Sequence, residues 1–125
     1  MLATCSFGPL DAKLNLLRLE SMSRWTPANA TMINSSESGA IPQLASGVNF
    51  ASIQRVITFT RPEEAVSAQA NALTAADNDG WRLSQYFDQS ASREKALPLG
   101  THGVLYAVVD PDSPRRLLII LKAFD

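Results

Sequence analysis

Two nearly continuous apolar runs close the chain, Val104 to Val109 and Leu117 to Ala123, separated by Asp110-Pro111-Asp112-Ser113-Pro114. Successive side chains of a strand point to opposite faces. Leu117, Ile119, Leu121 and Ala123 therefore line one side of a sheet and Leu118 and Ile120 the other, and both sides call for a cover. Upstream, Ile53, Arg55, Ile57 and Phe59 alternate with Gln54, Val56, Thr58 and Thr60, the period of a strand with one apolar face. Thr60-Arg61-Pro62-Glu63 has the form of a capping box with proline in the first turn. It predicts a helix with Val66, Ala70, Leu73 and Ala76 or Asp77 on one face and Ala65, Ala68, Ala72 and Ala75 keeping the rest slim. Asn78-Asp79-Gly80 ends it, with Gly80 free to turn left-handed. Trp81, Leu83 and Phe87 against Arg82, Ser84, Tyr86 and Asp88 then predict a second strand, and residues 88–101 a long polar loop before the apolar hairpin.

The first 49 residues differ in character. Residues 26–47 are small and polar, and such a stretch lacks the apolar groups to offset a backbone ordering cost of ~1–2 kcal/mol per residue. It predicts an extended arm ordered by something else. Before it, Leu14 and Leu17, broadened by Leu10, Leu16 and Leu19, mark a short amphipathic helix over residues 11–22 that Asp11 can cap. That helix has two open roles, docking in a partner's groove or folding back over the second face of the sheet. The expected architecture is α+β: an N-terminal arm over residues 1–49, then one small domain over 50–125. Its order is strand-helix-strand-strand-strand, with one helix packed on a mainly antiparallel sheet.

Composition narrows the function classes. With 125 residues, 46% hydrophobic and 18% charged, the chain suits one globular domain. The 11 basic and 12 acidic groups nearly cancel, which argues against a nucleic-acid partner, since such partners are held by a basic stripe. No window reaches the roughly 18 apolar residues of a membrane span, and the N-terminus has no basic region followed by an apolar one. A reducing, cytoplasmic setting is the expectation. Cys5 has no second cysteine to pair with, and with His102, the one histidine, it cannot complete a zinc site. Asp77 and Asp79 lack the spaced further ligands of a calcium loop, and no glycine-rich phosphate loop or nucleophile elbow occurs. No metal and no cofactor is expected.

The segment from Leu73 through Gly80-Trp81-Arg82-Leu83, taken with Lys122-Ala123-Phe124, resembles the uncharacterised DUF4177-type small α+β domains. The resemblance covers residues 53–124 and implies a fold without an assigned chemistry. Arg82 stands where that pattern carries an acidic residue.

A two-faced apolar sheet with one helix would expose more than the few hundred Å² of apolar patch usual for a monomer. The expected function is therefore a non-enzymatic interaction or assembly module, homo-oligomeric or a small subunit of a larger complex such as a virion or other particle. Leu14, Leu17, Val104, Tyr106, Val108, Leu118 and Ile120 are its expected interface. The alternative is a small anionic-ligand-binding protein or a cofactor-free enzyme. Its pocket would lie near the 88–101 loop, built from Tyr86, Arg93, His102 and Arg115.

Overall fold

The computed structural model describes residues 9–38, 50–85 and 88–124. The fold is α+β, with two helices, α1 (Pro9–Leu19) and α2 (Pro62–Asn78). The strands are β1 (Met32–Ser38), β2 (Phe50–Thr58), β3 (Arg82–Leu83), β4 (Ser92–Ala96), β5 (His102–Val109) and β6 (Arg116–Phe124). They form one six-stranded sheet in the order β1-β2-β6-β5-β4-β3, antiparallel at every pairing.

The β5–β6 hairpin and β2 sit at the centre because their alternation suits burial on one face. Ile53 and Ile57 of β2 lie opposite Leu121 and Leu117 of β6, and Leu105 and Ala107 of β5 lie opposite Leu121 and Ile119. Leu105, Leu117, Ile119 and Leu121 are completely buried. Each such side chain contributes roughly 1.5–3 kcal/mol by leaving water. Helix α1 packs on β2 and β6, and α2 on β4, β5 and β6, so both helices cover this same face and share one core.

That placement corrects several expectations. Helix α1 begins at Pro9 and does not cover the second face of the sheet; it lies beside α2 on the first. Leu14 and Leu17, expected at an interface, are 7% and 0% exposed inside the chain's own core. Residues 32–38 of the arm are a strand, so the boundary at 49 and 50 divides one sheet. A polar strand holds there because the β2 backbone, not its own side chains, orders it.

Helix α2 turns its alanines inward: Ala65, Ala68, Ala72 and Ala76 are buried with Leu73, while Val66 is 57% exposed. A face without long side chains lets the helix axis sit close to the sheet, and the Gln69 amide reaches the Ala107 carbonyl at 2.8 Å. The cap falls one residue later than expected. Arg61 takes the N-cap position and its backbone N–H donates to Glu64 Oε1 at 3.1 Å. At the far end Gly80 adopts φ 93°, and the Trp81 N–H returns to the Ala76 carbonyl at 3.0 Å.

Of the strand expected from Trp81 to Asp88, Tyr86 and Phe87 lie outside the described residues and the rest holds the two-residue β3, while β4 lies within the stretch read as a loop. Ser92-Arg93-Glu94-Lys95 lacks apolar periodicity because each polar group is satisfied by a specific partner. Ser92 Oγ donates to the Asp88 carbonyl at 2.7 Å, and Arg93 Nε donates to Asp77 Oδ1 on α2 at 2.7 Å. Lys95 Nζ donates to Glu20 Oε1 at 2.7 Å and to the Asp79 carbonyl at 2.9 Å, and it lies 5.7 Å from the Trp81 ring centroid.

Candidate functional site

With both helices on one side, the register assigns the remaining residues to an open face. Its rows run across the strands. Asn34, Val56, Leu118 and Val108 form one, and Ser36, Gln54, Ile120, Tyr106 and Ser92 the next. Ser38, Ser52, Lys122, Val104, Glu94 and Arg82 form a third. Phe50, Phe124, His102 and Ala96 close the end. Val56, Val108, Leu118, Ile120 and Tyr106 are half-buried, and among the described residues no helix lies over them.

Four of the residues expected at an interface, Tyr106, Val108, Leu118 and Ile120, thus share one exposed sheet surface. Val104 shares its parity but is 1% exposed. The chain itself closes that end of the face. Ser84 Oγ donates to Glu94 Oε2, Gln89 Nε2 donates to the Ser84 carbonyl at 2.9 Å, and the Ala107 N–H reaches the Ala91 carbonyl at 2.8 Å. Val104 is therefore part of the fold rather than of a partner surface. Val56, Phe50, Phe124 and Lys122 complete the face, and their signal was the strand alternation of β2 and β6. Lys122 Nζ lies 5.3 Å from the Phe50 ring centroid and 5.8 Å from that of Tyr106, so its charge rests between two aromatic faces. Burial, and after it the Glu94 charge, pushes the Tyr106 phenol above its ordinary pKa.

The residues proposed for an anionic pocket are dispersed. Strand parity sends Arg93 through the sheet to the helical side, where it is bonded to Asp77 and to the Gln89 and Ser92 carbonyls and is 8% exposed. Arg115 lies at the opposite end of β5 from His102, about 23 Å away along the strand. Tyr86 lies outside the described residues, as does Cys5. His102 instead faces Glu94, with Nε2 3.4 Å from Oε1. The two border a cleft of about 570 Å³ together with Arg82, Leu83, Gln85 and Lys95. Ser84, Glu94 and His102 stand in a row with the carboxylate in the middle. A nucleophilic serine needs the imidazole beside its hydroxyl, so this order holds the Ser84 and His102 side chains in place without activating an attacking oxygen.

Among the described residues no three His, Cys, Asp or Glu side chains gather as metal ligands, and no helix is long and apolar enough to cross a membrane. No protein-family model, curated protein or solved structure matches the chain, so the resemblance at Gly80-Trp81-Arg82-Leu83 rests on those residues.

Proposed function

We propose that this chain is a non-enzymatic assembly module that associates with a second copy of itself through the open face of its sheet, in a reducing, cytoplasmic setting. The observation that carries the reading is the placement of both helices on one face, which leaves Val56, Leu118, Val108, Ile120 and Tyr106 without a helix over them. The four strands left open, β1, β2, β6 and β5, at about 4.8 Å spacing and about seven residues each at about 3.3 Å, present on the order of 450 Å² per copy. Two such faces bury about 900 Å² together, the size of a small, reversible interface.

Charge favours a second copy of the chain as the partner. Residues near a two-fold axis meet their own copies, and the two central rows, Asn34-Val56-Leu118-Val108 and Ser36-Gln54-Ile120-Tyr106-Ser92, carry no charge that would repel its duplicate. The charges flank these rows: Lys122, Glu94 and Arg82 on one side and Arg116, opposite Thr58, on the other.

Solution mass by light scattering tests this, for the full chain and for Leu118→Asp/Ile120→Asp, with circular dichroism as the control for folding. The expected result is a wild-type oligomer whose mass falls in the folded double variant and is unchanged in His102→Ala. A wild-type monomer at concentrations of order 100 µM, or a folded double variant of unchanged mass, overturns it. The cleft supports a second reading, a small anionic ligand held by Arg82 and His102, since both side chains border the same space. Thermal stabilisation by phosphate or a small carboxylate, lost in Arg82→Ala and His102→Ala, would favour that reading.

A further inference from the structure

We infer that β1 is a second self-association site, at which two copies join antiparallel, edge to edge, about Ser35. Strand β1 is the outermost of six, and on its inner side it pairs with β2 one residue to one, from Met32 opposite Thr58 to Ser38 opposite Ser52. Among the described residues nothing pairs with its outer side. Proteins guard such an edge with a bulge, proline, lysine or extreme shortness. Met32-Ile33-Asn34-Ser35-Ser36-Glu37-Ser38 has none of these, and of the charged residues that also guard edges it carries only Glu37. The opposite edge, β3, is blunted to two residues.

The one charge on the strand is neutralised within the chain. Arg18 holds Glu37 through Nε at 3.1 and 3.2 Å and through its terminal nitrogen at 2.7 Å. Pairing about Ser35 sets Asn34 opposite Ser36, Ile33 opposite Glu37 and Met32 opposite Ser38 of the second copy. The two Glu37 carboxylates then fall about 13 Å apart along the strands, beyond the screening length of about 8 Å at physiological salt. No facing pair sets like charges against each other: Ser35 meets Ser35, Asn34 meets Ser36, Ile33 meets Glu37 and Met32 meets Ser38.

The helical side leaves room. Helix α1 lies over β2 and β6 rather than over the edge. Even directly above β2 it would sit about 7 Å from an axis half a strand spacing outside β1. Two copies of α1 would then be about 14 Å apart, against the 8–10 Å of packed helices. A foreign peptide adding to an edge is selected by pockets for its alternate side chains, and the small exposed Asn34, Ser35, Ser36 and Ser38 offer none. Self-complementarity requires only the register above, so the occupant is a second copy of this chain. The edge contact does not use Leu118 or Ile120 and stands apart from the face contact.

Disulfide trapping tests it in the full chain, in a Cys5→Ser background so that the introduced thiol is alone. At the axis Ser35 faces its own copy with Cα atoms about 5 Å apart, within disulfide reach, whereas Ser36 lies about 8 Å from its copy, outside it. Mild oxidation should give at least five-fold more covalent dimer with Ser35→Cys than with Ser36→Cys. The yield should persist when Leu118→Asp/Ile120→Asp is added, which separates the edge from the face. Equal yields at the two positions, or no dimer at Ser35→Cys, overturn the inference. As a second readout, Asn34→Lys/Ser36→Lys should abolish trapping at position 35 and Asn34→Lys/Ser36→Glu should retain it, because the register places these two positions against each other.

Discussion

Replacing Arg55 by methionine should leave the fold as stable as wild type or up to about 2 kcal/mol more stable. Arg55 occupies the helix-facing parity of β2, between Ser35 of β1 and Ile119 of β6, and is 4% exposed. One of its terminal nitrogens donates to the Trp25 carbonyl, and Nε has no acceptor. The buried N–H without a partner costs about 1–3 kcal/mol, and withdrawing the charge from water costs several more before compensation. The single charge-assisted bond returns about 1.5–3 kcal/mol. Burial lowers the Arg55 pKa below its ordinary range, which means that the fold disfavours the charged form. The sign follows: wherever the guanidinium is charged in both folded and unfolded chains, this cost is constant with pH, so the gain on substitution should be flat across the neutral range. Methionine keeps an unbranched stem in the same space and removes both penalties, at the cost of leaving the half-buried Trp25 carbonyl without its donor. Urea unfolding followed by circular dichroism gives the midpoint, and an unchanged slope shows that the comparison is of stability alone. A loss greater than about 2 kcal/mol in Arg55→Met, restored in Arg55→Lys, would refute the reasoning by showing that the core depends on the charge.

Two further substitutions bear on the polar contacts that fasten the helices. Lys95→Met leaves Glu20, whose side chain is 12% exposed, without its cation. It should cost about 2–3 kcal/mol, and a double-mutant cycle with Glu20→Gln should give a coupling of about 1 kcal/mol or more; a coupling under about 0.5 kcal/mol would make the contact incidental. The hydrogen bonds from Arg18 hold the Glu37 carboxyl below its ordinary 4.5, so its stabilisation is complete above that value and is lost as pH falls through the lower folded pKa. Because the side chains are 50% and 40% exposed the amplitude is small. Glu37→Gln should shrink the stability difference between about pH 6 and pH 3 by a few tenths of a kcal/mol, more at low salt, and an unchanged difference means that the pair contributes nothing.

The elements legible in the sequence are those whose burial is written in side-chain alternation. Strands β2, β5 and β6 follow from Ile53 and Ile57, from Val104 to Val109 and from Leu117 to Ala123, and Gly80-Trp81 marks the end of α2. Strand β4 was illegible because its residues are placed by tertiary partners, Asp77 for Arg93 and Glu20 for Lys95, that lie 16 and 75 residues away. Strand β1 was illegible for a different reason: only Ile33 among its residues is even half-buried, so the backbone ladder to β2 is its main support, with Ile33 against the core and Arg18 on Glu37 beside it. The alanine face of α2 misled because larger residues usually face a core, whereas here the close approach of helix to sheet selects the smallest. The open face was partly legible. Alternation gave the shared parity of Tyr106, Val108, Leu118 and Ile120, but which parity the helices would cover is decided by where α1 returns, and no local pattern encodes that.

The two proposed contacts constrain each other through symmetry. Edge pairing about Ser35 has its two-fold axis normal to the sheet, so the open faces of both copies end on the same side and merge into one surface twice as wide. Face pairing has its axis parallel to the sheet. Two perpendicular two-folds that intersect close a four-copy assembly, and two that do not intersect generate an open filament. The native twist between neighbouring strands, about 20–25°, curves the widened surface and favours closure, because two twisted sheets pack face to face over a limited width before their corners diverge. The polar Ser36 and Ser38 at the β1 side of the face and the hydrophobic Val56, Leu118 and Ile120 at its middle follow that geometry. Tight apolar contact is available near the centre of each copy, and hydrated contact at the seam where copies join by backbone hydrogen bonds. On this account the serine-rich arm, too polar to fold alone, has a use that its composition suits: it extends the sheet without adding an apolar edge that any other strand could capture.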